Sequence, residues 1–160
     1  MIDSRFKLLP LALAAGLASC AQPVSEAPVK KAEPPPPAKH KAVGMNQRGK
    51  VTSISLTETF ALQQSGNVLI FDARPGYFYN LGHIPGAISL PKPDCDAQIV
   101  KREAEIKAAI AAGKPIVVYC TNLLCADART VASHLAGFGY SSSVLSGGWD
   151  SWKESGLPTE

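Results

Sequence analysis

Two cysteines five positions apart are the residues of this sequence best suited to carry out a reaction. Cys120 follows an apolar run at residues 116–119, and Cys125 stands where a helical pattern begins. The run, which follows Pro115, predicts a strand buried on both faces. Cys120 would then lie at the carboxyl end of this strand, which is where open α/β sheets bind ligands. The amides of the loop and the N-terminus of the following helix would lower the pKa of its thiol. The alternative is that Cys120 is a small buried hydrophobic residue.

The rest of the pattern supplies the elements that would position this loop. Ser55 and Glu58 have the spacing of a capping box, in which each side chain accepts a hydrogen bond from the other residue's backbone N–H. Alternating strand and helix patterns joined by short loops predict an α/β fold with a mostly parallel sheet and helices on both faces. Strands are predicted at residues 51–53, 68–71, 87–90, 116–119 and 143–145, and helices at 55–65, 99–112 and 125–136, with a short helix near Trp149 and Trp152.

The composition is that of one globular domain with a non-globular extension. Of the 160 residues, 46% are hydrophobic and 18% are charged, which suits one domain plus tails. A net charge of +3 is too small to indicate a nucleic-acid partner. Four cysteines are too few for a disulfide framework in a chain of this length.

The amino terminus has the pattern of a targeting signal. Arg5 and Lys7 precede an apolar run at residues 8–17, which is too short to span a bilayer. The run leads through small residues into Cys20, in the order Leu-Ala-Ser-Cys, which resembles the lipobox of bacterial lipoproteins. The resemblance implies cleavage before Cys20, acylation of its sulfur and amine, and stable anchoring in a membrane. A plain secretory signal with an incidental cysteine is the alternative.

These patterns divide the chain into three segments: a lipoprotein signal peptide at 1–19, a proline-rich tether at 20–47 and a folded domain at 48–160. The tether has no hydrophobic periodicity and contains four consecutive prolines, so we expect an extended polyproline II conformation. Ala21 occupies the position where an aspartate would favour the inner membrane of a Gram-negative cell. We therefore expect an outer-membrane anchor with the domain facing the periplasm.

Several stretches of the folded segment together form a recognisable pattern. They are Phe71-Asp72-Ala73-Arg74, Gly82-His83-Ile84-Pro85-Gly86-Ala87-Ile88, Tyr119-Cys120 and Leu145-Ser146-Gly147-Gly148-Trp149. Together they resemble the rhodanese-like domain, and the resemblance covers residues 50–158. It implies a five-stranded, mostly parallel sheet and a sulfurtransferase that carries sulfane sulfur as a persulfide on Cys120. The sulfur would come from a small donor, thiosulfate or a persulfide, and pass to a thiol acceptor or to cyanide.

The resemblance also implies which residues form the site. A persulfide anion at the mouth of the loop needs several N–H donors, which the backbone of the loop residues could supply. Asp72 and Arg74 are expected to form a structural ion pair that supports the rim. His83 is expected to shape its turn rather than act as a base. The loop residues are Thr121, Asn122, Leu123, Leu124 and Cys125.

The loop departs from the common family pattern Cys-x-x-Gly-x-Arg, because Leu123 stands at the glycine position and Cys125 at the arginine position. The departure removes a fixed positive charge and a bidentate clamp for an anionic donor. Arg129, four residues further on, could partly replace that charge. The loop matches a less common Cys-x-x-x-x-Cys version, in which Cys125 could attack Cys120 and form a disulfide.

Three functions remain open at this point: a sulfurtransferase, a thiol–disulfide redox module built on Cys120 and Cys125, and a catalytically silent binding module. A phosphatase is disfavoured, because that chemistry needs an arginine where Ala126 stands. Cys120 and Cys125 lack further metal ligands, and neither a metal nor a cofactor is expected. Cys95, in a loop between two aspartates that would raise its thiol pKa, is expected to be unreactive or an occasional disulfide partner.

Overall fold

The computed structural model describes residues 48–160. The predicted signal peptide at 1–19, the lipidation site Cys20 and the tether at 20–47 lie outside the described residues and stay predictions. Among residues 48–160, no helix has both the length and the apolar character that a membrane span requires.

Five parallel strands form one sheet in the order β1-β5-β4-β2-β3, which confirms the predicted α/β fold. Every neighbouring pair runs parallel, so the sheet is all-parallel rather than only mostly so. The central strand is the apolar run that precedes Cys120. The strands are β1 (Val51–Ile54), β2 (Leu69–Asp72), β3 (Ile88–Ser89), β4 (Ile116–Tyr119) and β5 (Ser142–Leu145).

The β4 residues are buried on both faces of the sheet. The helices that cover these faces are among α1 (Leu56–Gln64), α2 (Gly76–Asn80), α3 (Cys95–Lys101), α4 (Glu103–Ala111), α5 (Asp127–Gly137) and α6 (Gly148–Glu154), and a 3₁₀ turn spans Lys92–Asp94. Val118 packs in one apolar cluster with helices α3, α4 and α5, whereas Val117 and Tyr119 pack in a second cluster with α1 and α6. This alternation follows from the two-residue period of a strand.

The predicted start of α1 is confirmed at the level of its hydrogen bonds. The Ser55 hydroxyl accepts from the Glu58 N–H (3.2 Å), and the Glu58 carboxylate accepts from the Ser55 N–H (3.1 Å). The capping box therefore begins this helix as its sequence indicates.

The prediction of a single helix at 99–112 is wrong, because the chain leaves helical geometry at Arg102 (φ −100°, ψ 12°). Two short helices result, each with its own apolar face. The face of α3 comprises Cys95 and Ile99, and that of α4 comprises Ile106 and Ala109. Cys95 was expected in a loop but is the first residue of α3. Helix α2 was not predicted, since it buries no side chain and so leaves no apolar periodicity in the sequence.

Candidate active site

Cys120 directly follows the central strand and is 3% exposed. Its carbonyl accepts a hydrogen bond from the Trp149 N–H (2.8 Å), and the Thr121 carbonyl accepts one from the Asp150 N–H (2.8 Å). The start of α6 thus holds the beginning of the loop through two backbone bonds. The approach requires glycine at position 148, where φ is +59° and a Cβ would collide with the carbonyl oxygens of Cys120 and Thr121.

Cys120 and Cys125 are joined by a disulfide, with their Cα atoms 6.1 Å apart. Cys120 is buried, whereas Cys125 is half-buried. The five-residue separation closes a small ring that contains the whole predicted loop. The structure therefore shows the oxidised form of the site, which is one of the alternatives that the sequence left open.

In this oxidised form, two of the loop amides expected to face an anion have partners inside the loop. The Leu124 N–H donates to the side-chain oxygen of Asn122 (3.1 Å), and the Cys125 N–H donates to the Asn122 carbonyl (3.2 Å). The Asn122 side chain in turn donates to the Asp150 carboxylate (3.0 Å). In this form, Asn122 captures two of the donors expected in the cradle, as an asparagine in a tight turn commonly does, and the cradle for a persulfide anion stays a prediction for the opened loop.

A cavity of about 100 Å³ lies beside the disulfide. Arg129 lines it, and within residues 48–160 its guanidinium has no hydrogen bond or ion pair. Ser53 and Ser146 line both this cavity and a larger open groove of about 490 Å³. A small molecule in the cavity would therefore lie beside the sulfurs and meet a positive charge.

The two leucines of the loop, Leu123 and Leu124, have side chains that point away from the core. Leu123 is 79% exposed and Leu124 is 94% exposed, although burial of such side chains would be favourable. Leu123 also lines the cavity beside the sulfurs. The rim of the site is therefore apolar on this side.

Asp127, which the sequence argument did not select, belongs to the site. One carboxylate oxygen of Asp127 and the two sulfurs of the disulfide all lie within 4.8 Å of one another. Its carboxylate also pairs with Lys92 (2.7 Å). The sequence signal that could have identified Asp127 was its position two residues after Cys125, at the start of α5.

Asp72 and Arg74 form a buried ion pair, as expected, but they do not touch the cysteines. The guanidinium donates through Nε (3.0 Å) and Nη2 (2.6 Å) to the carboxylate, and Nη2 also donates to the Gly82 carbonyl (2.8 Å). Burial opposes the charge on Arg74, yet the hydrogen bond and the charge of Asp72 raise its pKa. The Tyr119 hydroxyl donates to the same carboxylate (2.7 Å), and burial, followed by the charge of Asp72, raises the pKa of that tyrosine.

Arg74 is linked to the site through Trp149. Its guanidinium carbon lies 4.6 Å from the centre of a Trp149 ring, in cation–π geometry. Because the Trp149 N–H holds the Cys120 carbonyl, the ion pair supports the rim from behind.

The remaining candidate residues lie elsewhere. Cys95 is a free thiol, 2% exposed, and burial together with the charge of Asp96 raises its pKa. His134 pairs with Asp96 (2.6 Å). His83 stacks on Tyr79 with ring centres 3.8 Å apart, which fits a structural role.

Metal ligands occur in two groups among the described residues. The first comprises Cys95, Asp96 and His134, and the second comprises Cys120, Cys125 and Asp127. Sulfurs joined in a disulfide are not thiolates and cannot serve as thiolate ligands. In the first group, His134 and Asp96 already satisfy each other.

Comparison with known proteins agrees with this architecture. Residues 55–155 match the family model of the rhodanese-like domain. An HTH-type transcriptional regulator of Mycobacterium tuberculosis is 31% identical over 108 residues, which cover 68% of this chain and 44% of the regulator. The chain therefore spans less than half the length of this curated relative.

Solved structures show the same fold. A Bacillus halodurans protein has a TM-score of 0.59 at 24% identity, covering 68% of this chain and 76% of that one. A possible tyrosine phosphatase from Rhodopseudomonas palustris has a TM-score of 0.56 at 25% identity, covering 69% and 85%. A rhodanese-related protein from Thermoplasma volcanium has a TM-score of 0.53 at 18% identity, covering 68% and 97%. With its cysteine loop after the central strand of such a sheet, the chain belongs to the rhodanese-like domain family.

Proposed function

We propose that this protein is a sulfurtransferase that carries sulfane sulfur as a persulfide on Cys120. The observation that carries the proposal is the position of Cys120, which follows the central strand and lines a cavity next to an open groove. A buried sulfur at the base of a cavity can hold a reactive persulfide away from bulk solvent. The family membership of the domain supports the same chemistry.

The oxidised loop must first be opened by a thiol reductant, since only a free thiolate attacks sulfane sulfur. With thiosulfate, the Cys120 thiolate attacks the outer sulfur, sulfite leaves with the electron pair of the S–S bond, and Cys120 keeps the persulfide anion. An organic persulfide would load Cys120 in the same way and release its own thiolate. The acceptor is then a thiol that attacks the terminal sulfur.

The test is an intact-mass measurement on reduced protein after a brief exposure to each donor in turn. Wild type and Cys125→Ser are compared with Cys120→Ser, and all three carry Cys20→Ser to leave the loop cysteines and Cys95 as the only sulfur nucleophiles. We expect Cys125→Ser to gain one sulfur and to pass it to an added thiol. Cys120→Ser should gain none. A gain of sulfur in Cys120→Ser, or none in Cys125→Ser with any donor, would refute the assignment.

A second function, a thiol–disulfide redox module, is favoured by the disulfide itself. A dithiol module needs both sulfurs, so either serine substitution would abolish its exchange activity equally. In the mass experiment, this function alone predicts the loss of two hydrogens on oxidation of wild type, with no sulfur gained by Cys125→Ser.

We also propose that the mature protein is anchored in a bacterial membrane, in the outer membrane facing the periplasm, through lipid on Cys20. The support is the signal-like start that ends at this cysteine. Cys20→Ala should shift the protein from the membrane fraction to precursor or soluble material. Unchanged fractionation and migration would contradict the anchor.

A further inference from the structure

We infer that Cys125 gives this site a second activity, the reduction of sulfane sulfur to hydrogen sulfide. The inference rests on the proposed persulfide at Cys120 and adds a step that the common family loop cannot perform. Where that loop has arginine, this chain has a sulfur already bonded to Cys120. The partner that the site then requires is a dithiol reductant.

The geometry places Cys125 within reach of the reacting atom. The separation of the two Cα atoms, 6.1 Å, lies within the range of ordinary disulfides. The atom that Cys125 reaches is the Cys120 Sγ, which is the inner sulfur of a persulfide. In the reduced loop, a return to the bonded arrangement therefore brings Cys125 onto that inner sulfur.

The reaction balances without any further oxidant. The Cys125 thiol transfers its proton to the terminal sulfur of the Cys120 persulfide anion, and the resulting thiolate attacks the Cys120 Sγ. The new bond is the disulfide seen in the structure, the sulfur–sulfur bond of the persulfide breaks, and HS⁻ leaves with its electron pair. Over loading and release together, the two loop thiols are oxidised to a disulfide while one sulfane sulfur is reduced to sulfide.

Asp127 is positioned to relay the proton of this step. One of its carboxylate oxygens lies within 4.8 Å of both sulfurs, a separation that one bridging water can span, so it can accept the Cys125 proton and return it to the leaving sulfur. Its ion pair with Lys92 (2.7 Å) fixes the position of the carboxylate. Both loop cysteines line the cavity, so HS⁻ would be released into it.

The cycle closes when a dithiol reductant opens the disulfide. One thiol of the reductant attacks a loop sulfur, and its second thiol resolves the mixed disulfide. Both loop thiols are then regenerated while the reductant becomes a disulfide. Each turnover therefore consumes one sulfane sulfur and one dithiol.

The test is a single turnover on the full chain carrying Cys20→Ser, reduced and then freed of reductant. One equivalent of a small organic persulfide is added without other thiols, and sulfide and intact mass are followed together. We expect wild type to release the added sulfur as one equivalent of HS⁻ and to lose two hydrogens. Cys125→Ser should keep the added sulfur and release at least about tenfold less HS⁻. Cys95→Ala, which removes the third cysteine but leaves both loop sulfurs, should behave like wild type.

The outcomes separate the two proposals. If Cys125→Ser gains no sulfur, the persulfide on Cys120 is wrong and this inference falls with it. If Cys125→Ser gains sulfur but wild type keeps the same persulfide and releases no HS⁻, the sulfurtransferase stands and the second activity is refuted.

Asp127→Asn gives an independent readout, because it should slow the release of HS⁻ from protein already loaded with persulfide about a hundredfold. Lys92→Met is the control for loss of the ion pair alone and should slow release far less. Equal rates in Asp127→Asn and wild type would remove Asp127 from the mechanism.

Discussion

Replacement of Arg74 by methionine should destabilise the domain strongly, because it leaves the Asp72 carboxylate buried without its cation. The Asp72 and Arg74 side chains are 0% and 3% exposed, so solvent offers little screening. Removing one partner of a buried pair costs about 3–5 kcal/mol. Two donors to the carboxylate survive the change, the Arg74 backbone N–H (2.9 Å) and the Tyr119 hydroxyl (2.7 Å). We therefore expect a loss near the lower end, about 3 kcal/mol.

For a domain of this size, 1 kcal/mol corresponds to about 4 °C in Tm, so Arg74→Met should melt about 12 °C below wild type. The assay is thermal unfolding followed by circular dichroism, with reductant throughout so that the loop disulfide does not contribute. Arg129→Met is the matched control, since it removes an exposed guanidinium and should change stability by less than about 0.5 kcal/mol.

A second variant isolates the cause. Asp72→Asn combined with Arg74→Met removes the stranded charge and should recover at least half of the lost stability, because a buried pair can often be replaced by neutral groups at little cost. A decrease in Tm of less than about 4 °C for Arg74→Met would refute the reasoning. So would a double variant that melts no higher than the single one.

Two further predictions concern the loop supports and the remaining thiol. Gly148→Ala should lower the free energy of unfolding in urea by about 1–3 kcal/mol, because the new Cβ would meet the Cys120 and Thr121 carbonyls. Gly76→Ala is the control, since its Cβ would meet nothing within 4 Å, and it should be neutral or slightly stabilising. Equal effects of the two substitutions would contradict the contact at Gly148. Burial and the charge of Asp96 raise the pKa of the Cys95 thiol, so at neutral pH this thiol should resist alkylation by iodoacetamide until the protein unfolds. Alkylation of the folded protein at the rate of an exposed free thiol would contradict the burial of Cys95.

The sequence was informative wherever burial imposes a regular pattern. Residues 116–119 are apolar without alternation because both faces of β4 are covered, and the Ser55–Glu58 spacing marked the start of α1. It was uninformative where no burial pattern exists. Helix α2 buries no side chain, and the break at Arg102 is a change of backbone angles within a continuous helix-forming composition.

The candidate site shows the same division. Cys120 could be located because it follows a recognisable strand. The capture of two loop amides by Asn122 depends on the curvature of a closed ring, which residue types do not specify. Asp127 was missed for a similar reason, since its distance from both sulfurs depends on how α5 begins.

The charges around the sulfurs bear on which donor the proposed site prefers. Arg129 lines the cavity without a partner among the described residues, but the Asp127 carboxylate lies beside the sulfurs and its pairing with Lys92 neutralises that lysine in turn. Thiosulfate carries two negative charges and would meet one free cation here, without the bidentate clamp of the common loop. An organic persulfide carries at most one charge on its sulfur, and its carbon skeleton can contact the exposed Leu123 beside the cavity. We therefore expect the proposed site to prefer an organic persulfide, and faster loading of Cys125→Ser by thiosulfate than by a small organic persulfide would show that the lost arginine is not the deciding feature.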